Sequence, residues 1–269
     1  MESDQLIILE LHLESAVTDK DIQRVVDSSH DAPQTILGPH FCTEDSTLVI
    51  RTFLPFAESV IVRQDGNGRL EFVMDKVHDE GLFEAIIPEV DESFDYELVA
   101  MDADGEEHCF HDPYAIKDTL FTESDAEKFA SGQHTQLYEK FGAHPLTLGT
   151  KDGVNFAVWA PAAQRVSVVG NFNRWDGRCH QMRRLGASGI WEVFIPDIAA
   201  GEFYKYEIKT SDGHTFLKVD PFAILTETLP KTAAIIHDRK SSYIWCDSSW
   251  LGRRKSSAFR TRPISIYPL

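Results

Sequence analysis

The sequence predicts an all-β protein made of two tandem immunoglobulin-like β-sandwiches, with a short N-terminal helical segment and an extended C-terminal linker. Three observations predict this class. The chain repeats itself at a separation slightly above one hundred residues, its apolar residues alternate over short runs, and turn-forming residues bound those runs. Leu48-Val49-Ile50-Arg51-Thr52-Phe53-Leu54-Pro55 leads through Ala57 to Val60-Ile61-Val62, as Val154-Asn155-Phe156-Ala157-Val158-Trp159-Ala160-Pro161 leads through Ala163 to Val166-Ser167-Val168. Pro55 and Val60 match Pro161 and Val166 at an offset of 106. Phe83 to Pro88 matches Trp191 to Pro196, and Asp112-Pro113-Tyr114-Ala115-Ile116 matches Asp220-Pro221-Phe222-Ala223-Ile224, both at 108. A two-residue difference in one middle loop accounts for the change.

Residues 1–38 form the N-terminal helical segment, where Thr18 or Asp19 caps a short helix carrying Ile22, Val25 and Val26 on one side. Residues 39–116 are the first sandwich module. Residues 117–143 connect the repeats, with a helical stretch near Ser124 to Ala130 started by the capping sequence Ser124-Asp125-Ala126-Glu127. Residues 144–226 are the second module. In it Val154, Phe156 and Val158 point one way, Trp191, Val193 and Ile195 share a face, and so do Tyr204, Tyr206 and Ile208. Asp104-Gly105 and Asp212-Gly213 supply hairpin turns. Residues 227–269 are a polar, basic linker with Arg253-Arg254-Lys255 and Arg260-Thr261-Arg262-Pro263.

The formal net charge of −17 repels phosphate backbones and anionic headgroups, which argues against nucleic acid and membrane partners. The charge is uneven: residues 1–130 hold 8 basic and 31 acidic residues, the remainder 18 and 12. Two units with different surfaces follow. Cys42, Cys109, Cys179 and Cys246 never form Cys-x-x-Cys, and Met1 is followed by Glu2 and Asp4, so a cytoplasmic protein with reduced thiols is expected. His108-Cys109-x-His111-Asp112 and Cys179-His180 fit no structural zinc spacing. Gly66-x-Gly68 and Gly186-x-x-Gly189 lack the Lys-Ser/Thr of a phosphate cradle. Neither a metal nor a cofactor is expected.

Leu137-Tyr138-Glu139-Lys140-Phe141-Gly142-Ala143-His144-Pro145, Phe156-Ala157-Val158-Trp159-Ala160-Pro161, and the run Val166 to Gly177 with Asn171-Phe172-Asn173-Arg174-Trp175-Asp176 resemble a known family. It is the amino-terminal region of bacterial glycogen (1,4-α-glucan) branching enzyme. The Asn-Phe-Asn-x-Trp-Asp run is a mark of the family 48 carbohydrate-binding module. Leu37-Gly38-Pro39-His40 resembles the start of the preceding module, and Tyr243-Ile244-Trp245, Trp250 and Arg253-Arg254 the linker to a catalytic barrel. Pro263-Ile264-Ser265-Ile266-Tyr267 resembles the entry to the first barrel strand and is followed only by Pro268-Leu269. The resemblance therefore implies a truncated, non-catalytic glycogen-biosynthesis protein whose partners are an α-1,4-glucan and a catalytic barrel. An alternative is a fragment that docks on such a barrel without binding glucan.

Glucan binding asks for flat aromatic faces and a few hydroxyl-pairing groups. Trp175, in a polar Asn-rich turn, is the leading platform. In the glycogen-binding modules that this sequence resembles, that Trp, a Lys in the Tyr-Lys-Tyr strand and a late Asn line the sugar groove; Trp175 and Lys205 match, and the late Asn has no counterpart around Phe216 to Asp220. Asn173, in the Trp175 turn, and Trp191, which like Trp159 sits in a strand pattern, complete the candidate set. The first repeat has no Trp, and its aligned loop, Gln64-Asp65-Gly66-Asn67-Gly68, offers no platform. Packing or spacing is its expected role. No acidic pair, Glu106-Glu107 and Asp79-Glu80 included, is expected to be catalytic.

Overall fold

The computed structural model describes residues 17–43, 46–66, 70–90, 93–238 and 245–256. They fall in two compact units divided after His237. In the first repeat, β1 (Gly38–Cys42), β2 (Thr47–Phe53), β5 (Asp75–His78) and β6 (Leu82–Ile87) form an antiparallel sheet ordered β1-β2-β6-β5. β3 (Ala57–Gln64), β4 (Glu71–Val73), β7 (Tyr96–Asp102) and β8 (Glu107–His111) form the other, ordered β4-β3-β7-β8. In the second repeat, β9 (Gly142–Leu148), β10 (Lys151–Trp159), β12 (Arg183–Arg184) and β13 (Ile190–Pro196) run in the order β12-β13-β10-β9. β11 (Ala163–Gly170), β14 (Phe203–Thr210), β16 (Leu225–Thr226) and β17 (Ala234–Ile235) run in the order β11-β14-β17-β16, with β15 (Thr215–Lys218) also paired to β14. The pairing with β17 carries this sheet past residue 226, where the sequence places the linker.

The alternation predicts the cores. Val154, Phe156, Val158, Trp191, Val193 and Ile195 from one sheet meet Val166, Val168, Tyr204 and Tyr206 from the other. In the first repeat Leu48, Ile50, Phe83, Ala85 and Ile87 meet Val60, Val62, Tyr96, Leu98 and Ala100 in the same way. Ile208, expected on the core face, is partly buried against it. Asp104-Gly105 and Asp212-Gly213 make the expected turns, with both glycines in the left-handed region, Gly105 at φ 79° and Gly213 at φ 87°. A side chain there would be strained.

The duplication reaches further upstream than the sequence reading places it. Thr18, Asp21, His30, Gly38 and His40 match Thr122, Asp125, His134, Gly142 and His144 at an offset of 104, so the helical segments of 1–38 and 117–143 are one element used twice. Thr18 caps α1 (Asp19–Val26), as the sequence suggests; Thr122, rather than Ser124, caps α2 (Glu123–Ala130). Both make a reciprocal box with an Asp, Asp21 N donating to Thr18 Oγ1 at 3.3 Å and Asp125 N to Thr122 Oγ1 at 3.2 Å. His30 Nδ1 and His134 Nδ1 each accept from the backbone N–H two residues on, and His40 and His144 each bond the carbonyl three residues back. α1 lays Val25 and Val26 over Phe53 and Leu82, the outer face of the β2/β6 sheet.

A buried tyrosine–aspartate pair also recurs. Tyr96 Oη donates to Asp112 Oδ2 at 2.8 Å and Tyr204 Oη to Asp220 Oδ2 at 2.5 Å, while Tyr114 N and Phe222 N fill the second carboxylate oxygens at 2.8 Å. Burial pushes the Asp112 carboxyl up to about 6. A carboxyl raised in the folded state contributes stability that is complete below its unfolded value near 3.8 and lost as pH rises through about 6. Asp112→Asn cannot titrate. The wild type should therefore gain on it as pH falls from neutral to acid, by up to about 3 kcal/mol, in urea denaturation at each pH. A wild type that loses stability relative to Asp112→Asn on acidification would contradict this reading.

The uneven charge is explained where the repeats meet. Arg174 Nη2 lies 2.6 Å from Asp102 Oδ2, Lys151 Nζ 2.6 Å from Asp65 Oδ2, and Arg178 Nη1 3.4 Å from Glu80 Oε2. Lys209 Nζ and Arg184 N donate to the Asp27 and Asp31 carbonyls at 2.7 and 2.8 Å. The acidic half thus faces the bases of its partner repeat. Tyr114 Oη donates to Gln181 O and accepts from Gln181 N, both at 3.0 Å. Asp65, from the loop without a platform, is spent on Lys151; Asn67 and Gly68 of that loop lie outside the described residues.

In the second unit, residues 248–256 form α3 (Ser248–Ser256), with Arg253, Arg254 and Lys255 in its last turn, where cations suit the helix dipole. This part of the expected extended linker is helical. Tyr243, Ile244 and the segments Arg260–Pro263 and Pro263–Leu269 lie outside the described residues. No helix among the described residues is long and apolar enough to cross a membrane.

Candidate carbohydrate-binding face

The candidate face is the outer side of the β11/β14 sheet. Register places Val169 opposite Lys205 and Ser167 opposite Glu207, so Lys205 and Glu207 project away from the core-facing Tyr204 and Tyr206. From Gly170 the chain makes a single turn, Asn171–Asn173, and then holds Arg174 and Trp175 in the left-handed region at φ 56° and 61°. Such a backbone costs on the order of 1–3 kcal/mol per residue and persists only where its surroundings impose it. Here Trp175 N donates to Gly170 O at 2.9 Å, and Gly177 O accepts from Arg165 Nη1 at 3.0 Å. A Cβ on Gly177 would meet the Glu207 carboxylate, so the turn ends against the face that carries Lys205.

Trp175 is half-buried, and its indole Nε1 donates to Asn171 Oδ1 at 2.9 Å, which fixes the ring. Lys205 Nζ donates to Thr232 Oγ1 at 2.8 Å. Leu217, opposite Glu207 on β15, is 47% exposed on the same face. The structure thus brings the Trp175 turn, Lys205, Thr232 and Leu217 to one side of one sheet. Asn171 and Thr232 were not singled out from sequence; only the indole and ammonium they hold could have pointed to them.

Two sequence candidates do not belong to this face. Trp191 is fully buried between the sheets, with Nε1 donating to Ala160 O at 3.0 Å, and it presents no ring face to a sugar. The alternation that put it on the core face already carried that signal. Asn173 is 6% exposed and internally satisfied: Oδ1 accepts from Gly170 N at 2.9 Å, and Nδ2 donates to Val168 O at 2.8 Å and His180 Nδ1 at 2.9 Å. It shapes the turn and leaves no group for a ligand. Trp159, which also sits in a strand pattern, is 53% exposed and meets Phe129 edge-on at 5.8 Å. One residue beyond Val158, it points to the opposite face.

His108 does join a cluster, but with Asp102 and Glu106 rather than with His111 or Cys179. The Arg174 guanidinium sits there, 2.6 Å from Asp102 Oδ2 and 3.0 Å from His108 Nε2. Hydrogen bonds from His108 and Arg174 hold the Asp102 carboxyl well below the usual carboxylate range. The cluster is an ion-pair junction between repeats.

Residues 18–114 match the family described as alpha-1,4-glucan branching enzyme GlgB, N-terminal domain, and residues 140–223 match carbohydrate-binding module 48 (isoamylase N-terminal domain). The 1,4-alpha-glucan branching enzyme GlgB of Thermosynechococcus vestitus is 45% identical over 253 residues, which is 93% of this chain and 32% of the relative. That of a Nostoc species is 43% identical over 255 residues, 94% of this chain and 33% of the relative. A Klebsiella pneumoniae pullulanase complexed with maltotriose aligns at 20% identity and TM-score 0.34, over 73% of this chain and 20% of that one. The chain spans about a third of the length of the curated relatives it matches. Its first repeat matches the GlgB N-terminal domain family and its second carbohydrate-binding module family 48, and together they correspond to the N-terminal region of the 1,4-alpha-glucan branching enzymes.

Proposed function

We propose that the chain is a non-catalytic α-glucan-binding unit of glycogen biosynthesis in the cytoplasm, which holds α-1,4-glucan on the Trp175/Lys205 face and presents it to a branching-enzyme barrel. The observation that carries this is the fixed Trp175 indole, set in a strained turn beside Lys205 within the matched carbohydrate-binding module. Tethering such a face to a catalytic barrel would raise the local glucan concentration there. The buried carboxylates do not offer a glycosidase pair: Asp112 and Asp220 are each held by a tyrosine hydroxyl, and Glu192 by backbone amides. This chain alone should form no α-1,6 branches from amylose.

Native gels containing glycogen test the binding. The wild type should be retarded, Trp175→Ala should lose about tenfold or more in affinity, and Lys205→Ala should weaken it less. A neutral ligand makes the retardation insensitive to moderate salt. Equal mobility of wild type and Trp175→Ala with and without glycogen would sink the site. Phe216, Leu217, Val219, Ile224, Leu225 and Leu229 are exposed, from 39% at Phe216 to 81% at Leu229. This apolar run favours a second reading in which the module docks on a barrel. That reading predicts self-association of the isolated chain by sedimentation and no retardation on glycogen.

A further inference from the structure

We propose that the cleft between the two repeats is a second saccharide subsite, which takes the end of a neutral α-glucan and exists only because both repeats build it. This rests on the glucan-binding reading above. The cleft encloses about 490 Å³, within the range of roughly 300–1,000 Å³ typical of small-molecule sites. Phe56 and Phe110 of the first repeat and Phe172 of the second line it, together with His108, His180 and Asn171.

The basic groups on its walls are engaged by carboxylates, and Glu107, which accepts from Cys109 Sγ at 3.3 Å, adds a negative charge there. Arg174 is held by Asp102 and stacks over Phe56 with its guanidinium carbon 4.8 Å from the ring centroid. His111 Nδ1 lies 2.8 Å from Asp197 Oδ2. A phosphate or carboxylate ligand would have to break these pairs; a polyhydroxylated neutral ring would not. Phe110 and Phe172 supply apolar walls, and neither has a cation over its ring among the described residues.

The donor arrangement suits hydroxyl groups. Asn173 Oδ1 accepts from Gly170 N, so its Nδ2 is the atom that donates to His180 Nδ1. His180 Nδ1 is therefore the unprotonated nitrogen, and Nε2 carries the hydrogen. Burial pushes the imidazole down to about 4, which keeps this donor uncharged at neutral pH. Asn171 Oδ1 is taken by the Trp175 indole, and its Nδ2 remains a donor on the exposed rim. Asn171 thus lines the cleft and holds the Trp175 indole, so it links the platform to the cleft wall.

Maltoheptaose titrated into the full chain, followed by amide NMR shifts, tests the subsite. The wild type should show perturbations at Asn171–Trp175 and also at His108–His111 and Ile195–Ile198. Trp175→Ala should keep the second set. Phe110→Ala, and independently His180→Phe, should weaken that set about threefold to tenfold and leave the platform shifts in place. If either variant loses its dispersed spectrum, the other decides. Shifts confined to Asn171–Trp175 would overturn the subsite and leave the proposed function standing. No shifts anywhere would overturn both.

Discussion

Trp191→Ala should lower the unfolding free energy of the second sandwich by about 3–5 kcal/mol, whereas Trp175→Ala should change it by less than about 1 kcal/mol. Both tryptophans lie in the same module, and only their surroundings separate them. Trp191 is fully enclosed with Val158, Val193 and Tyr204 in one core cluster, and its Nε1 is bonded to Ala160 O. Truncation leaves a cavity the size of an indole between two sheets that cannot close on it, while the Ala160 carbonyl keeps its bond from Ala163 N at 3.1 Å. Trp175 stands on a turn whose backbone bonds, Trp175 N to Gly170 O among them, do not need the ring. Urea denaturation paired with glycogen retardation therefore gives opposite patterns: Trp191→Ala has a much lower midpoint yet binds while folded, and Trp175→Ala keeps the midpoint and loses binding. A Trp191→Ala chain of normal stability that no longer binds glycogen would return Trp191 to the ligand site.

The same two residues show how far the sequence could be read. Period-two alternation says which face of a strand a residue takes, and it placed the cores of both sandwiches because the core side of their strands carries apolar residues at alternate positions. It does not say what lies over the other side. Phe53 and Trp159 hold equivalent positions in the two repeats, yet Phe53 is 2% exposed under Val25 and Val26 of α1, while Trp159 is 53% exposed. The residues that decide this come from helices remote from these strands in the sequence. The helices themselves were legible as capping sequences, but their equivalence rested on a few polar matches, Thr18, Asp21, His30 and His40 with their counterparts, diluted among unlike neighbours. At the candidate face, Trp175 and Lys205 were legible through the resemblance because their types suit a sugar. Asn173 misled for the reason that makes it useful in a turn: a short amide can serve a ligand or its own backbone. Only the distances to Gly170, Val168 and His180 decide that it serves the fold.

Glu192→Ala should cost about 3–5 kcal/mol, the effect of leaving several buried partners unpaired at once. Glu192 is fully buried on the outward side of β13, and its Oε1 accepts from Leu120 N at 2.9 Å, Phe121 N at 3.0 Å and Asn155 Nδ2 at 3.1 Å. Arg183, whose guanidinium also donates to the Lys117 and Asp118 carbonyls, lies 3.5 Å from Oε2. One carboxylate thus pins the segment that joins the repeats onto the second sandwich. The equivalent acid of the first repeat, Glu84, pairs instead with Arg51 across the strand, so the duplicated position has been turned from an internal ion pair into an anchor. Glu192→Gln keeps an acceptor for the three amide donors but replaces Oε2 with an amide that meets the Arg183 guanidinium donor to donor, so its cost should be about 1–2 kcal/mol. Hydrogen exchange separates the two variants: the Leu120 and Phe121 amides should lose protection in Glu192→Ala and keep most of it in Glu192→Gln. Burial raises the Glu192 carboxyl above its ordinary value of 4.5, so its contribution is complete below that value and lost as pH rises through the folded one. The deficit of Glu192→Gln relative to wild type should accordingly be larger in acid than at neutral pH. Equal exchange in both variants would mean that packing of Phe121 against Phe141, whose ring centroids are 4.9 Å apart, holds the connection without the carboxylate.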